Sequence, residues 1–274
     1  MEANGGIHDR KAQDETITVC GKVEEIHKMY QFFVEPEQIC GKIITITGSD
    51  VNHIKNVLRM KQGEELSVSN GIDGKEYRCG ITSLEEDRIV CELRFIKEDG
   101  VELSSRVHLF QGLPKADKME LIIQKAVELG VYEIIPVATK RCVVKLEEKK
   151  AAAKIARWQQ IAEAAAKQSK RRIVPQVSSV MTFGEAVQKA SSMEVKLIPY
   201  ELADGMERTK ALIEGIKPGQ DIAVFIGPEG GFEESEVDKA LGAGIEPVTL
   251  GKRILRTETA GFTVMAWIMY RLEE

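Results

Sequence analysis

The sequence is poor in the residues that build metal and redox sites. Its 274 residues include five cysteines and four histidines, and no two cysteines have the CxxC spacing. These residues are Cys20, Cys40, Cys79, Cys91, Cys142, His8, His27, His53 and His108. Because a zinc site needs a set of ligands at characteristic spacings, the sequence predicts no metal site, and the cysteines are interpreted as free thiols.

The sequence also lacks a long apolar run. No stretch approaches the roughly 18 to 20 apolar residues of a transmembrane helix, and the first thirty residues lack the apolar segment of a signal peptide. The composition, 43% hydrophobic and 30% charged, is typical of a globular protein. These absences predict a cytoplasmic protein without a membrane span.

Positive charge is scarce overall but concentrated in one segment. The net charge of the chain is −5, which is unfavourable for a protein that binds nucleic acid over its whole surface. Residues 140 to 172 nevertheless contain eleven basic and three acidic residues, a net charge of +8. Such a block is typical of a phosphate-binding surface, and also of a solvated, lysine-rich helix face.

The hydrophobic pattern changes twice along the chain. Residues 1–28 are polar and predict a flexible extension. Residues 29–100 contain short strands, turns and one helix, a pattern that favours a small β-barrel. Residues 101–274 alternate strands with helices, which predicts an α/β domain with a mostly parallel sheet covered on both faces.

Three of the predicted strands end in turn-forming sequences. These strand ends are "KLIPYE", "AVFIGPEGGF" and "PVTLGKRILRTETA". In a parallel sheet, small molecules bind at the carboxyl ends of the strands, so the three ends can form one pocket. Taken alone, "GPEGG" is either a ligand-binding loop or a structural turn, because it is neither a P-loop nor a GxGxxG sequence.

Five segments together resemble one known family. They are "HIKNVLRM" at 53–60, "QKAVELGV" at 124–131, "KRCVVKL" at 140–146, "IGPEGGF" at 226–232 and "LGKRILRTETA" at 250–260. From residue 29 onward the sequence is similar to the RsmE-type 16S ribosomal RNA uridine-N3 methyltransferases of the SPOUT class. The resemblance implies an N-terminal PUA-like β-barrel at 29–100 and a SPOUT methyltransferase domain at 101–274 that ends in a trefoil knot.

The resemblance also implies a cofactor, a substrate and an assembly. The cofactor is S-adenosylmethionine, the substrate is a uridine near the 3′ end of 16S ribosomal RNA in the small subunit, and the enzyme is a homodimer. The cofactor-binding residues implied are Pro199, Tyr200, Glu201, Ile226, Gly227, Pro228, Glu229, Gly230, Leu250, Gly251, Ile254, Leu255 and Thr257.

Two arginines of the last motif are the candidate catalytic residues. Methylation of uridine N3 requires loss of its proton, and an arginine can stabilise the resulting anion without losing its own charge. Arg256 is the first candidate for this role and Arg253 the second. In the alternative interpretation, one of these arginines pairs with an interface carboxylate such as Glu229 or Glu258.

A separate set of basic residues is expected to position the RNA through its phosphates. This set consists of Lys55, Arg59, Arg157, Lys167, Lys170, Arg171 and Arg172. The sequence departs from the family at Gln31, where related proteins commonly carry an arginine, so the contribution of the first strand to substrate binding is in question.

Two other functions agree with the same sequence. One is a SPOUT methyltransferase that acts on another ribosomal or transfer RNA nucleotide, and the other is a non-catalytic RNA-binding factor of ribosome assembly. Identification of the methylated nucleoside tests the first alternative, and a measurement of S-adenosylmethionine binding tests the second.

Overall fold

The computed structural model describes residues 29–98, 100–143, 148–200 and 205–273. The predicted extension 1–28 lies outside these residues. Within them, no helix is both long enough and apolar enough to cross a bilayer.

The first part of the chain forms a curled six-stranded sheet. Its strands are β1 (Gln31–Phe33), β2 (Ile39–Cys40), β3 (Ile43–Thr47), β4 (Glu65–Ser69), β5 (Glu76–Leu84) and β6 (Arg88–Lys97). The spatial order is β1-β4-β5-β6-β3-β2, and only β1 and β4 run parallel. Alternate residues such as Ile44, Ile46 and Leu66 point into a core of its own.

One short helical segment covers this sheet. Helix α1 (Ser49–Asn52) continues directly as a π-helical turn over His53–Val57. Val51 and Ile54 are buried in the core of the sheet, whereas Arg59 just beyond the turn is exposed with φ of 55°.

The second part is a parallel seven-stranded sheet with helices on both faces. Its strands are β7 (Arg106–Gly112), β8 (Glu133–Ala138), β9 (Gln176–Val177), β10 (Met181–Thr182), β11 (Val195–Pro199), β12 (Asp221–Ile226) and β13 (Glu246–Val248). Its helices are α2 (Lys118–Glu128), α3 (Glu148–Gln168), α4 (Phe183–Ala190), α5 (Met206–Glu214), α6 (Glu234–Gly242) and α7 (Thr257–Leu272). The strand order is β10-β8-β7-β12-β11-β13, with β9 also paired to β8.

The central strands are buried on both faces, as their continuous apolar sequence predicts. In β12, Ile222 and Val224 face one core with α2, α3 and α7, while Ala223 and Phe225 face a second core with α4 and α6. The rings of Phe225 and Phe110 stack in the second core with centroids 4.4 Å apart. Strands β7 and β12 therefore form the buried centre of the domain.

The chain reaches the edge of the sheet and then returns to its centre. Strand β13 pairs with the outer side of β11, and after residues 249–256 helix α7 packs against β12 and α2. This return path is where the resemblance places the knot. It also brings the start of α7 beside the carboxyl ends of the central strands.

Candidate active site

A cavity of about 670 Å³ lies at the carboxyl ends of β11, β12 and β13. The loops that follow these three strands form its walls, so the structure brings the three predicted strand ends together. All of the predicted cofactor-binding residues line this cavity except Glu201, which lies outside the described residues.

Several cavity residues were not predicted as site residues. They are Lys118, Arg141, Gly231, Phe232, Thr249, Lys252 and Ala260. Most are neighbours of predicted residues within the same motifs. Lys118 and Arg141 come from distant segments, which follow β7 and β8. Because β7, β8 and β12 are parallel neighbours, the loops after all three strands begin at the same edge of the sheet.

The loop after β12 is a tight turn that depends on glycine. The N–H of Gly231 donates to the carbonyl of Pro228 at 2.9 Å, and Gly231 has φ of 66°, which favours glycine. A Cβ atom on Gly227 would lie 3.1 Å from the backbone of Gly231. The two glycines therefore let the turn close and leave its backbone groups at the cavity wall.

Thr257 joins the start of α7 to this turn. Its hydroxyl donates to the carbonyl of Gly227 at 2.6 Å and accepts a hydrogen bond from Gln111 Nε2 at 2.9 Å. Because Thr257 is buried, these bonds fix the position of the preceding residue, Arg256, at the N-cap of the helix.

One lysine lies between two carboxylates at the cavity, Glu229 and Glu258. Lys118 Nζ lies 3.0 Å from Glu229 Oε1 and 3.5 Å from Glu258 Oε2. Burial raises the pKa of Glu229, but hydrogen bonds from Lys118 and from the backbone N–H of Lys115 outweigh this effect and hold its pKa below the usual value. Glu229 is therefore ionised, and its carboxylate is already bonded to Lys118 and to the N–H of Lys115.

Arg253 and Arg256 are exposed at the cavity wall. Neither guanidinium has a hydrogen bond or ion pair with another described residue. Within one chain, Glu229 and Glu258 contact Lys118 and not the two arginines. The alternative interpretation, in which an arginine pairs with a carboxylate across an interface, stays a prediction. Ile254, between the two arginines, is 91% exposed.

Five of the seven predicted RNA-binding residues are at least partly exposed. Arg59 and Lys170 are exposed, and both adopt positive φ. Arg157 pairs with Glu120 at 2.9 Å but keeps 65% of its side chain exposed. Lys55 donates to the carbonyl of Glu85, and Lys167 pairs with Asp50.

The prediction that Arg171 and Arg172 contact RNA needs correction, because both are buried. Arg171 donates to Glu102 Oε2 at 2.5 Å and to the carbonyl of Val131 at 2.6 Å. Arg172 Nη2 lies 2.7 Å from Glu76 Oε2. Their guanidinium groups are thus held inside the protein and are not available to phosphates.

These arginines turn inward because they lie beyond the end of helix α3 at Gln168. Lys170 has φ of 59°, and the N–H of Arg171 donates back to the carbonyl of Ala166 at 3.0 Å. This left-handed end is a common helix C-terminus. Residues 169–174, which we call the junction segment, follow the helix and run along the six-stranded sheet, where the N–H of Val174 donates to the carbonyl of Gly71.

Gln31 belongs to the same junction. Its side-chain amide donates to the carbonyl of Arg171 at 2.8 Å. The first strand of the six-stranded sheet is therefore joined at Gln31 to the segment that follows α3.

No cluster of three or more metal-ligating side chains occurs in the described residues. Their free cysteines are Cys40, Cys79, Cys91 and Cys142.

Comparison with known proteins now adds to this geometry. A family model described as an RNA methyltransferase domain matches residues 101–269, and one described as an RNA methyltransferase PUA domain matches residues 46–94. Over 251 residues the chain is 36% identical to the ribosomal RNA small subunit methyltransferase E of Bacillus subtilis, covering 89% of this chain and 98% of that protein.

The chain belongs to the ribosomal RNA small subunit methyltransferase E family. Among solved structures of similar fold is the methyltransferase E of Neisseria gonorrhoeae bound to S-adenosylmethionine, at 35% identity and a TM-score of 0.76, covering 88% of this chain and 97% of that one. A second is a methyltransferase of Legionella pneumophila with S-adenosylmethionine bound, at 31% identity and a TM-score of 0.75, covering 89% and 98%.

Family membership confirms the predicted fold class. The chain combines a SPOUT-type methyltransferase domain, built on the parallel sheet, with a PUA-like domain, built on the curled sheet.

Proposed function

We propose that this protein uses S-adenosylmethionine to methylate N3 of a uridine near the 3′ end of 16S ribosomal RNA, in the assembled small subunit. The observation that carries the proposal is the position of Arg256 at the cavity and the absence of a described carboxylate that pairs with it. Arg256 is held at the cavity wall by the anchored start of α7.

The cavity fits the cofactor. Its volume of about 670 Å³ lies within the usual range of small-molecule sites. The backbone of the Gly227–Gly231 turn offers polar groups at its wall, and Ile226, Leu250 and Leu255 offer apolar surface. We assign the loops after β11, β12 and β13 to cofactor binding. S-adenosylmethionine, when bound, supplies an electrophilic methyl group.

Arg256 supplies the positive charge that stabilises the uridine anion at the cavity wall. Loss of the N3 proton leaves a negative charge that spreads over the two neighbouring carbonyl oxygens of the base. A guanidinium beside these oxygens stabilises that charge through N–H donors that it keeps throughout the reaction. Arg253, also exposed at the cavity wall, either shares this role or stabilises the loop.

The RNA is positioned by exposed cations outside the cavity. Lys55, Arg59, Arg157, Lys167 and Lys170 remain candidates, because each keeps at least part of its side chain accessible. A target base that is unpaired or turned out of its stack enters the cavity, so the shape of the RNA contributes more to recognition than its sequence.

The proposal includes a homodimer located in the cytoplasm. The family resemblance supports the dimer, and so do exposed apolar side chains such as Ile254 and Tyr270, which are 91% and 70% exposed. Sedimentation equilibrium tests it, and a monomer at micromolar concentration would contradict it.

The decisive experiment uses small subunits that lack the modification. We expect the purified protein, with S-adenosylmethionine, to form N3-methyluridine on these subunits and much less on the same 16S RNA stripped of protein. Mass spectrometry of the released nucleosides identifies the product. Methylation of another atom or RNA would contradict the substrate assignment, and failure to bind S-adenosylmethionine in calorimetry would indicate a non-catalytic RNA-binding factor.

A further inference from the structure

A cation outside the predicted site residues reaches the cavity from the side opposite to Arg256. Arg141 follows β8, on one side of β12 in the sheet, whereas residues 249–256 follow β13 on the other side. Both segments line the same cavity. The turn after β12 therefore has an exposed arginine on each side of it.

The backbone around Arg141 is held in place. The N–H of Lys140 donates to Glu236 Oε1 at 2.9 Å, and the N–H of Cys142 donates to the carbonyl of Thr139 at 3.1 Å. The ammonium group of Lys140 pairs with Glu233 at 2.8 Å. Arg141 thus projects from a loop that is fixed to α6 and the residues just before it.

The side chain of Arg141 lies on Gly230. Its Nη1 donates to the carbonyl of Gly230 at 3.0 Å, and a Cβ atom on Gly230 would come within 3.3 Å of Arg141 Cβ. The absence of a side chain at Gly230 therefore lets the arginine lie close to the turn. One backbone carbonyl occupies only part of the five-donor guanidinium.

Within the part of the chain that the structure describes, no carboxylate pairs with Arg141. The described cations that line the cavity are Lys118, Arg141, Lys252, Arg253 and Arg256. Among the described residues, Glu229 and Glu258 are taken by Lys118. The positive charge of Arg141 contributes to the lowered pKa of Glu233, but the carboxylate of Glu233 pairs with Lys140.

The cofactor of the proposed function cannot satisfy these cations either. S-adenosylmethionine carries a sulfonium, an ammonium and a single carboxylate, so it is a net cation. An RNA backbone offers one negative charge per phosphate, and arginine binds phosphate in a fork geometry. The excess positive charge at the mouth of the cavity therefore matches the substrate.

We propose that Arg141 binds a backbone phosphate next to the target nucleotide and so holds the base over the cavity. The inference rests on the proposed function, since it assumes that RNA enters this cavity. Arg141 is then a positioning residue, which contributes to RNA binding and not to cofactor binding. With Arg253 and Arg256 on the far side of the Gly227–Gly231 turn, it places cations on both sides of the entering nucleotide.

The test compares Arg141→Ala with Arg141→Lys and with Lys210→Ala, an exposed lysine of α5 that does not line the cavity. For Arg141→Ala we expect the KM for small subunits to rise about tenfold, while the salt dependence of RNA binding falls by about one phosphate contact. The affinity for S-adenosylmethionine, measured by calorimetry, stays unchanged. Arg141→Lys restores part of the RNA affinity, and Lys210→Ala behaves as the wild type.

Two results would overturn this inference. One is an unchanged KM and salt dependence in Arg141→Ala, and the other is a loss of S-adenosylmethionine affinity, which would make Arg141 part of the cofactor site. Failure of the proposed function gives a different result, because the wild-type protein would then form no N3-methyluridine.

Discussion

Arg172 and Glu76 form a buried ion pair, 2.7 Å between Nη2 and Oε2, that joins the segment after α3 to the curled sheet. Arg172 also donates to the carbonyl of Lys97 at 3.1 Å, so it contacts two strands of that sheet. The pair ties the RNA methyltransferase domain to the PUA domain.

Breaking this pair is expected to destabilise the protein strongly. Replacement of Arg172 by alanine removes the partner of Glu76 Oε2, while Oε1 keeps Arg78 at 2.5 Å and a hydrogen bond from Ser67. Loss of such a buried, charge-assisted hydrogen bond typically costs about 1.5–3 kcal/mol of the free energy of unfolding. Arg88→Ala removes an exposed pair with Glu85 and should cost at most about 1 kcal/mol. Urea unfolding followed by circular dichroism measures both, and equal effects would contradict the role of the junction.

The buried carboxylate of Glu133 predicts a pH dependence of stability. Burial raises its pKa, but hydrogen bonds with His108, Lys189 and Ser178 outweigh this and lower the pKa from 4.5 to about 2. Because the folded-state pKa is the lower one, this stabilisation is present above pH 4.5 and is lost as the pH falls towards 2. The Glu133→Gln variant should unfold at lower urea concentration at pH 7 and show a weaker loss of stability between pH 5 and pH 2. A parallel pH profile in both proteins would contradict the assignment.

Gly227→Ala is expected to impair cofactor binding. The added Cβ would lie 3.1 Å from the backbone of Gly231, so the turn has to shift by a few tenths of an ångström and its backbone groups move at the cavity wall. We expect the affinity for S-adenosylmethionine to fall at least about tenfold, equivalent to about 1.4 kcal/mol, in calorimetry. Gly242→Ala is the control, since a Cβ there meets no atom within 4 Å. Unchanged affinity in Gly227→Ala would show that the cofactor does not depend on this turn.

Lys118 is expected to keep Arg256 available. In Lys118→Ala, the carboxylates of Glu229 and Glu258 lose their cation, and we expect the arginines of the same cavity wall to pair with them instead. We expect turnover to fall about tenfold, as for loss of a charge contact in the transition state. The double variant Lys118→Ala/Glu229→Gln should recover part of this loss. If the double variant turns over no faster than Lys118→Ala, Lys118 has another role.

The fold and the cavity were largely accessible from the sequence because they depend on local patterns. Continuous apolar strands and glycine-rich strand ends identify the parallel sheet and the edge at which its loops meet. Arg171 and Arg172 show the limit of this reasoning. A left-handed residue, Lys170, turns the chain at the end of α3 and takes both arginines out of the exposed basic face. Nothing in a run of basic residues distinguishes an arginine in solvent from one that meets a distant carboxylate.

The same limit applies to residues that arrive from other parts of the chain. Lys118 and Arg141 lie far in sequence from the loops of the cavity, and their contacts with Glu229 and Gly230 depend on the strand order. Gln31, which differs from the family's common arginine, contacts the carbonyl of Arg171. Its role in substrate binding could not be judged without that contact.

The most direct test of the account is the kinetics of Arg256→Ala on small subunits that lack the modification. We expect S-adenosylmethionine affinity to stay within about tenfold of the wild type, while the turnover that forms N3-methyluridine falls by about a hundredfold or more, as for loss of a donor that acts in the transition state. Arg253→Ala, measured in the same assay, shows whether the second arginine also stabilises the uridine anion. Unchanged turnover in Arg256→Ala would contradict the central claim.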